Sequence, residues 1–389
     1  MVKNFYPHFQ KNNDRKVIAV LSLASFLHDV GSDMVFSVWP LFVTQVLGAN
    51  MAIVGLIDGI GDAVVSVSGT VGGYISDRVR KRKIFVWIGY LFGGVSRIGY
   101  AFSPSWQWLI PFRFMDRSGK IRSAPRDAIL SDISTRENRG SRFGILRAMD
   151  NFGAVVGILI AIFFLQTLGF KTLFLLAAIP SVLAVILILF FVSEPKQVGK
   201  ELFRGIRFSD FDSNLRLFMI LSGVFALGSF SYSFLLIFAN KFGFANYQVP
   251  ILYLLFTLVA AFASIPFGKM ADKFGRKNVL YLSYGFWAIV LFAILFFANA
   301  IGIITAFIFY GLHKGAMEPV QKTFVAELAA KEYVASTIGA FQMVLGFASL
   351  PASLLAGLLW DNVSPMTPFY FSLVLTILSG VMLTFVKEK

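Results

Sequence analysis

Two stretches of this chain repeat each other: GGYISDRVRKRKIFVWIGY at residues 72–90 and FGKMADKFGRKNVLYLSYG at residues 267–285. In each stretch a short basic cluster separates the end of one apolar run from the start of the next. Asp77 and Asp272 correspond to each other at a shift of 195 residues (272 − 77) in a chain of 389. Since the shift is about half the chain length, the sequence predicts two halves built on the same plan.

The composition indicates a membrane protein. Hydrophobic residues make up 57% of the sequence and charged residues only 14%, whereas soluble domains contain about 25% charged residues. Apolar runs of about 20 residues, the length that a transmembrane helix needs, recur along the chain and do not alternate as in a β-barrel. The predicted fold class is an all-α polytopic membrane protein with twelve transmembrane helices in two pseudo-symmetric six-helix bundles. The predicted spans are 17–45, 50–76, 83–103, 105–130, 141–166, 171–193, 215–240, 246–271, 277–298, 300–327, 332–359 and 365–386.

Basic residues predict the orientation of these spans. They concentrate near both chain ends and in the connections that follow even-numbered spans, and such residues mark the cytoplasmic side. Both termini are therefore predicted to be cytoplasmic in a cell-membrane protein, and the formal net charge of +14 needs no nucleic-acid partner. The predicted domains are a cytoplasmic tail 1–16, a six-helix bundle 17–193, a cytoplasmic linker 194–214 and a six-helix bundle 215–389 with a short cytoplasmic tail.

The repeated stretches also carry a recognisable motif. The first copy runs from Gly73 to Arg82 as GYISDRVRKR, and the second runs from Gly268 to Lys277 as GKMADKFGRK. Both resemble the loop motif of the major facilitator superfamily, roughly G-x-L-x-D-R-x-G-R-[RK]. The resemblance implies a usually monomeric transporter and an ionic latch that holds one conformation, although the basic cluster could instead only anchor the loop in the cytoplasm. The latch residues would be Gly73, Asp77, Arg78, Arg82, Asp132, Gly268, Asp272 and Arg276.

Span 4 carries an unusual amount of charge for a membrane span. Arg113, Asp116, Arg117 and Lys120 follow each other at i, i+3, i+4 and i+7, which places them on one face of a helix. A charge at the centre of a bilayer costs roughly 2.5–3.5 kcal/mol on insertion scales, so such side chains face protein or water and usually have a function. This face is therefore predicted to point into the bundle.

Other spans of the same half supply partners for this face. Acids and bases are nearly balanced among them, which predicts a buried network for proton coupling and substrate binding, in which a carboxylate that loses its basic partner takes up a proton. A static lattice of ion pairs that fixes helix packing is the alternative. The network residues are His28, Asp29, Asp33, Asp58, Asp62, Arg113, Asp116, Arg117, Lys120, Arg147 and Asp150. The C-terminal half offers a softer substrate wall of Tyr232, Phe234, Phe238, Asn240 and Gln342.

Two glycines in span 5 have two interpretations. Gly153 and Gly157 match part of the motif G-x-x-x-G-P-x-x-G, which exporters of the superfamily often show, but Ile158 stands where that motif has proline. Two small residues four positions apart also predict a close contact between two helices.

Taken together, the residues and the resemblance predict a secondary active transporter that works by alternating access, is proton-coupled and exports a small amphipathic or charged organic solute. A divalent-metal or inorganic-ion exporter is an alternative, in which His28, Asp29 and His313 would meet at one ion. An intramembrane enzyme or lipid-handling protein is a further alternative, but the sequence contains neither H-E-x-x-H nor a recognisable Ser–His–Asp set, and it lacks cysteine. No enzyme activity, cofactor or resident metal is predicted, and the expected partners are the solute, protons and membrane lipids.

Overall fold

The computed structural model describes residues 11–79, 81–135, 138–193, 211–329 and 334–388, and the regular structure in these ranges is helical. The helices of the N-terminal half are α1 (Lys11–Phe36), α2 (Trp39–Leu41), α3 (Met51–Val79), α4 (Lys83–Ala101), α5 (Leu109–Ser118), α6 (Ser123–Asp132) and α7 (Arg139–Phe191). Those of the C-terminal half are α8 (Ser213–Gly228), α9 (Tyr232–Lys241), α10 (Val249–Phe274), α11 (Arg276–Phe296), α12 (Ala300–Leu328), α13 (Val334–Asn362) and α14 (Thr367–Thr384).

These helices provide the twelve predicted spans. Within the described ranges, ten stretches are long and apolar enough to cross a membrane. α7 adds one span to these ten, because Gly169 has φ +69° and interrupts a helical run of 53 residues. Span 4 adds another. It consists of α5, a 3₁₀ turn (Gly119–Arg122) and α6, and it is not among the ten because its helix is interrupted and rich in charged residues. The predicted fold class, all-α with two six-helix bundles, is confirmed.

The predicted N-terminal tail and linker lie largely outside the described residues. Residues 1–10 of the tail and 194–210 of the linker lie outside the described part of the chain, so those limits stay predictions. The second half begins with α8, whose first turn is capped by Asp212: its Oδ1 accepts a hydrogen bond from the backbone N–H of Leu215 at 2.6 Å.

Glycines allow two pairs of helices to approach closely. A Cβ atom at Gly153 or Gly157 of α7 would overlap backbone carbonyl oxygens of α1, so the predicted close contact in span 5 is confirmed. The second pair, α3 and α13, joins the two halves. A Cβ atom at Gly59 would lie 2.7 Å from the Cα of Leu350, so the backbones of these two helices meet without intervening side chains.

Contacts repeat between the halves at one side of the bundle. We call the side at which α1 begins and α14 ends the termini side, and the opposite one the far side. At the termini side Arg82 pairs with Asp132, and Arg276 pairs with Glu327 at 2.7 Å. The shifts between corresponding members are 194 (276 − 82) and 195 residues (327 − 132). The repeat found in the sequence therefore extends to ion pairs between the same two spans of each half.

Four of the predicted latch residues take part in these contacts, namely Arg82, Asp132, Asp272 and Arg276, with Asp272 3.2 Å from Arg276. Gly73 lies where α3 packs on α6, since a Cβ atom there would be 3.1 Å from that of Ala124. Arg78 is exposed, and a Cβ atom at Gly268 would meet no described atom within 4 Å. The side chain of Asp77 lies outside the described residues.

The far side is closed by contacts between the halves. Asp361, near the end of α13, accepts hydrogen bonds from the backbone N–H groups of Met51 (3.2 Å) and Ala52 (2.8 Å), the first residues of α3. Nearby, the amide of Gln45 donates to Asn240 and Asn246 of the C-terminal half at 3.0 Å each. These bonds tie the two bundles together where no chain connection holds them.

Candidate functional site

A cavity of about 440 Å³ lies between the helices, mostly within the N-terminal half. Twelve of its thirteen lining residues come from that half. They are His28, Asp29, Ser32, Asp33, Phe36, Asp116, Arg117, Lys120, Arg122, Asp150, Asn151 and Ala154, and the thirteenth is Glu318 of α12. The lining is polar except for Phe36 and Ala154, and it contains both acids and bases.

α1 supplies one side of the cavity. Asp29 and Asp33 are four residues apart on this helix and lie one turn above each other. The Oδ1 atom of Asp33 accepts a hydrogen bond of 3.0 Å from the hydroxyl of Tyr253, which belongs to α10 in the other half. Asp33 is therefore a cavity residue with a direct contact to the C-terminal half.

Span 4 supplies a basic side because its helix is interrupted. A Cβ atom at Gly119 would lie 2.6 Å from the carbonyl oxygen of Gly89, so only glycine lets span 4 approach α4 this closely. At this point the chain forms the 3₁₀ turn Gly119–Arg122, which carries Lys120 and Arg122 to the cavity. One turn earlier, Arg117 lies with its guanidinium 4.3 Å from the centre of the Phe36 ring, a favourable cation–π distance.

A chain of ion pairs lies on the termini side of the cavity. Asp150 pairs with Arg126 and with Arg147, each at 3.3 Å, and Asp127 pairs with the same two arginines at 3.2 and 3.0 Å. The Arg147 side chain is 57% exposed, so this part of the network is accessible to solvent. Of the four residues, only Asp150 lines the cavity itself.

A second charged cluster is closed off from the cavity. Asp58 of α3 and Arg113 of α5 form an ion pair of 2.8 Å, with side chains that are 2% and 1% exposed. The carboxylate of Asp58 also accepts a hydrogen bond from the indole of Trp39 at 2.9 Å. Its other oxygen accepts bonds from the hydroxyls of Ser231 (2.7 Å) and Ser233 (2.5 Å) in the C-terminal half. Asp58 and Arg113 thus hold the halves together on the far side and do not line the cavity.

A buried arginine, Arg97, forms hydrogen bonds with the backbone of His28 and with two serines near it. Arg97 donates to the carbonyl oxygen of His28 at 3.2 Å, to the hydroxyl of Ser32 at 2.7 Å and to the hydroxyl of Ser181. Ser181 Oγ is 3.0 Å from His28 Nδ1. Because this hydroxyl oxygen already accepts from Arg97, its hydrogen is donated to Nδ1, the acceptor beside it among the described residues. The hydrogen-bond network therefore assigns the proton of a neutral His28 to Nε2.

Four of the eleven predicted network residues do not line the cavity. Asp62 is exposed on α3, one turn after Asp58, and Arg147 lies on the termini side. Asp116 lines the cavity and its carboxylate is 4.0 Å from Arg117, which makes this a weak ion pair. The structure therefore brings seven of the eleven predicted network residues together in the lining of one cavity and links Arg147 to it through Asp150. Asp58, Asp62 and Arg113 lie elsewhere.

The residues of the predicted substrate wall in the C-terminal half do not line the cavity. Phe234 and Phe238 are buried against Trp360, and Tyr232 donates to the carbonyl oxygen of Phe36 at 3.3 Å. Asn240 belongs to the amide cluster on the far side, and Gln342 is half-buried in α13. Glu318 takes their place as the cavity residue of that half.

The sequence analysis did not select several residues of the site, namely Arg122, Arg126, Asn151, Ser181 and Glu318. Arg122 and Arg126 are four residues apart, so the helical-face argument applied to span 4 could have been extended to them. Ser181 carried no signal, because a serine in an apolar span shows its partners only in three dimensions.

A metal site finds no support in the geometry. His313 lies in the core of the C-terminal half, with its Nδ1 2.9 Å from the hydroxyl of Ser283, and it does not line the cavity. No group of three or more His, Cys, Asp or Glu residues is arranged to hold a metal ion within the described part of the chain.

Comparison with known proteins identifies the family. The model described as Major Facilitator Superfamily matches residues 21–236 and 217–389. An uncharacterized MFS-type transporter of Methanocaldococcus jannaschii is 35% identical over 393 aligned positions, covering 97% of this chain and 98% of the relative. A multi-drug resistance efflux pump of Streptococcus pneumoniae is 24% identical, covering 82% of this chain and 83% of the pump. Among solved structures, that of the nucleoside transporter NupG has a TM-score of 0.79 at 14% identity, covering 96% of this chain and 100% of that one.

Proposed function

The chain belongs to the major facilitator superfamily of membrane transporters, and from this premise we propose that it is a proton-coupled secondary transporter that exports a small charged organic solute by alternating access. The observation that carries the proposal is the position of Asp33. Its carboxylate lines the cavity and accepts the hydroxyl hydrogen of Tyr253 from the other half. A proton on this carboxylate would weaken the bond between the halves, which links protonation of the cavity to its opening.

The cavity lining supports a charged solute. Only two of its thirteen residues, Phe36 and Ala154, are apolar, and a predominantly apolar lining is what most drug-like ligands require. Of the two solute types predicted from the sequence, amphipathic and charged, the charged one therefore fits the cavity better.

The orientation and the direction of transport rest on two further arguments. The basic residues Lys83, Arg276 and Lys277 lie at the termini side, which we place in the cytoplasm by the positive-inside rule. Export is supported by the streptococcal relative, whose name describes an efflux pump. We propose that the protein acts as a monomer in the cell membrane and that the Arg82–Asp132 and Arg276–Glu327 pairs form the conformational latch.

Proton coupling can be tested in inside-out membrane vesicles. Respiration acidifies their interior, and a pH-sensitive dye reports the gradient. We expect that organic solutes of one charge class, added from a panel of cations, anions, zwitterions and divalent metals, will dissipate the gradient in vesicles that contain the wild-type protein. Asp33→Asn is expected to abolish this response, because the variant cannot release a proton at that position.

Asp212→Asn serves as the matched control, since Asp212 is exposed, lies outside the cavity, and asparagine caps a helix as well as aspartate does. It should respond as the wild type does. A response in Asp33→Asn equal to that of the wild type would contradict coupling through this residue. A response to divalent metals alone would favour the metal exporter, and no response to any class would contradict proton-coupled export.

A further inference from the structure

The charged groups that line the cavity differ in whether other protein groups bind them through an ion pair or a hydrogen bond. Asp150 has two arginine partners at 3.3 Å, and Glu318 lies 3.7 Å from Lys314. Asp33 accepts the hydroxyl hydrogen of Tyr253. These three acids therefore already have partners within the protein and need none from a ligand.

Two opposite charges in the cavity have no such partner. Among the residues that the structure describes, Asp29 and Lys120 have no ion pair within 4.0 Å and no side-chain hydrogen bond. Arg122, beside Lys120, donates to the carbonyl oxygen of Gly119 at 2.8 Å and lies over the ring of Tyr90, but has no carboxylate partner in the same ranges. Groups left unpaired in a protein interior are costly unless water or a ligand satisfies them.

These unpaired charges come from different elements of the cavity lining. Asp29 projects from α1, whereas Lys120 belongs to the 3₁₀ turn between α5 and α6. No ion pair within 4.0 Å joins them among the described residues. The cavity therefore presents an acceptor for a cation on α1 and donors for an anion on the 3₁₀ turn, with about 440 Å³ of space.

We infer that the transported solute is a small zwitterion, with an ammonium group that binds at Asp29 and a carboxylate that binds at Lys120 and Arg122. This inference rests on the proposed function and specifies its substrate class. A solute with one charge would satisfy one side and leave the opposite protein charge unpaired, at the desolvation cost of a buried ion. A zwitterion satisfies both sides and adds no net charge to the cavity.

Binding to purified protein in detergent tests this inference without any gradient. The probes are ω-amino acids from glycine to 6-aminohexanoate, with butylamine and butyrate as single-charge controls for 4-aminobutyrate. Thermal stabilisation is measured as a function of probe concentration. We expect at least one ω-amino acid to bind the wild type about tenfold or more tightly than either single-charge control, since each lost charged contact weakens binding by about that factor.

Two substitutions assign the ends of the ligand. Lys120→Met should remove the preference for 4-aminobutyrate over butylamine, and Asp29→Asn should remove its preference over butyrate. Lys120→Arg keeps the charge and should restore the first preference. Because neither Asp29 nor Lys120 has a protein partner in the described ranges, both variants are expected to fold, which size-exclusion chromatography and melting of the unliganded protein will check.

Two outcomes would contradict the inference that the solute is a zwitterion. One is stabilisation by butylamine or butyrate as strong as that by every ω-amino acid, and the other is stabilisation by none of the probes. The result is separable from that of the vesicle experiment. Binding of a zwitterion without dissipation of the pH gradient would contradict proton coupling and leave the ligand class standing. Dissipation by a solute of single charge would contradict the ligand class and leave coupling standing.

Discussion

The two halves of the molecule share a fold but not a chemistry. Ion pairs at the termini side recur in both, as Arg82–Asp132 and Arg276–Glu327. In contrast, the N-terminal half supplies twelve of the thirteen residues around the cavity, and the other half supplies Glu318. The structural repeat therefore preserves the contacts that position helices, whereas almost all groups that line the cavity belong to one half.

The two buried histidines show the same difference in detail. His28 Nδ1 accepts from Ser181 and directs its ring toward the cavity. His313 Nδ1 lies 3.0 Å from the backbone carbonyl oxygen of Ser283, which can only accept, so the network assigns the proton of His313 to Nδ1. The rings thus have opposite tautomers. His28 offers a hydrogen-bond donor to the cavity, whereas His313 is a core residue among aromatic rings.

The largest difference in stability between the halves is expected when one ion pair in each half is broken. Arg113→Ala leaves Asp58 buried without its charge partner, which should lower the free energy of unfolding by about 3–5 kcal/mol. Lys314→Ala removes a pair whose side chains are 37% and 68% exposed, and should cost no more than about 1 kcal/mol. Chemical unfolding of both variants in detergent measures the difference.

A double variant checks the cause. Asp58→Asn combined with Arg113→Gln removes both charges, and most of the lost stability should return because no unpaired ion remains. Equal losses in Arg113→Ala and Lys314→Ala would show that the closed cluster is no stronger than an exposed ion pair.

Loss of the serine partner of each buried histidine should change stability by amounts that differ less between the halves. Ser181→Ala removes one hydrogen-bond partner from both Arg97 and His28, at a cost of about 1–3 kcal/mol. Ser283→Ala should cost less, about 0.5–1.5 kcal/mol, because His313 keeps the backbone carbonyl oxygen of residue 283. Thermal unfolding of the two variants compares them, and a larger loss for Ser283→Ala would refute the assigned hydrogen-bond directions.

The smallest effect is expected at the repeated ion pairs. Asp132→Asn should lower the free energy of unfolding by up to about 1 kcal/mol, the range of partly exposed pairs. Glu327→Gln should also cost up to about 1 kcal/mol, since Arg276 keeps Asp272 at 3.2 Å. Unfolding in detergent at low and high salt measures both, and added salt should reduce both losses. A loss well above about 1 kcal/mol in either variant would contradict the range of partly exposed pairs.

The sequence predicted the fold and the inward orientation of span 4, because hydropathy and helical spacing are local properties. It could not predict how that charged face divides. Arg113 and Arg117 share one face of α5, but Arg117 lines the cavity, whereas Arg113, one turn earlier, belongs to the closed cluster with Asp58.

The C-terminal wall is a different case. Aromatic side chains such as Phe234 and Phe238 suit a substrate wall and a packed core equally well, and they turn out to be buried. Which of the two they form depends on neighbours such as Trp360 that are more than a hundred residues away in the chain. Glu318 was visible as a charge in span 10, yet its approach to the other half depends on how the bundles meet.

The bonds from Asp361 to the first turn of α3 have a consequence for the population of states. Capping side chains of this kind contribute about 0.5–2 kcal/mol, and about 1.4 kcal/mol changes an equilibrium constant tenfold. Since Asp361 joins the halves only while the far side is closed, neutralising it should shift molecules toward the opposite state without touching the cavity. Under the alternating access proposed above, natural variation at this one surface carboxylate would tune how often the protein faces each compartment while its choice of solute stays the same.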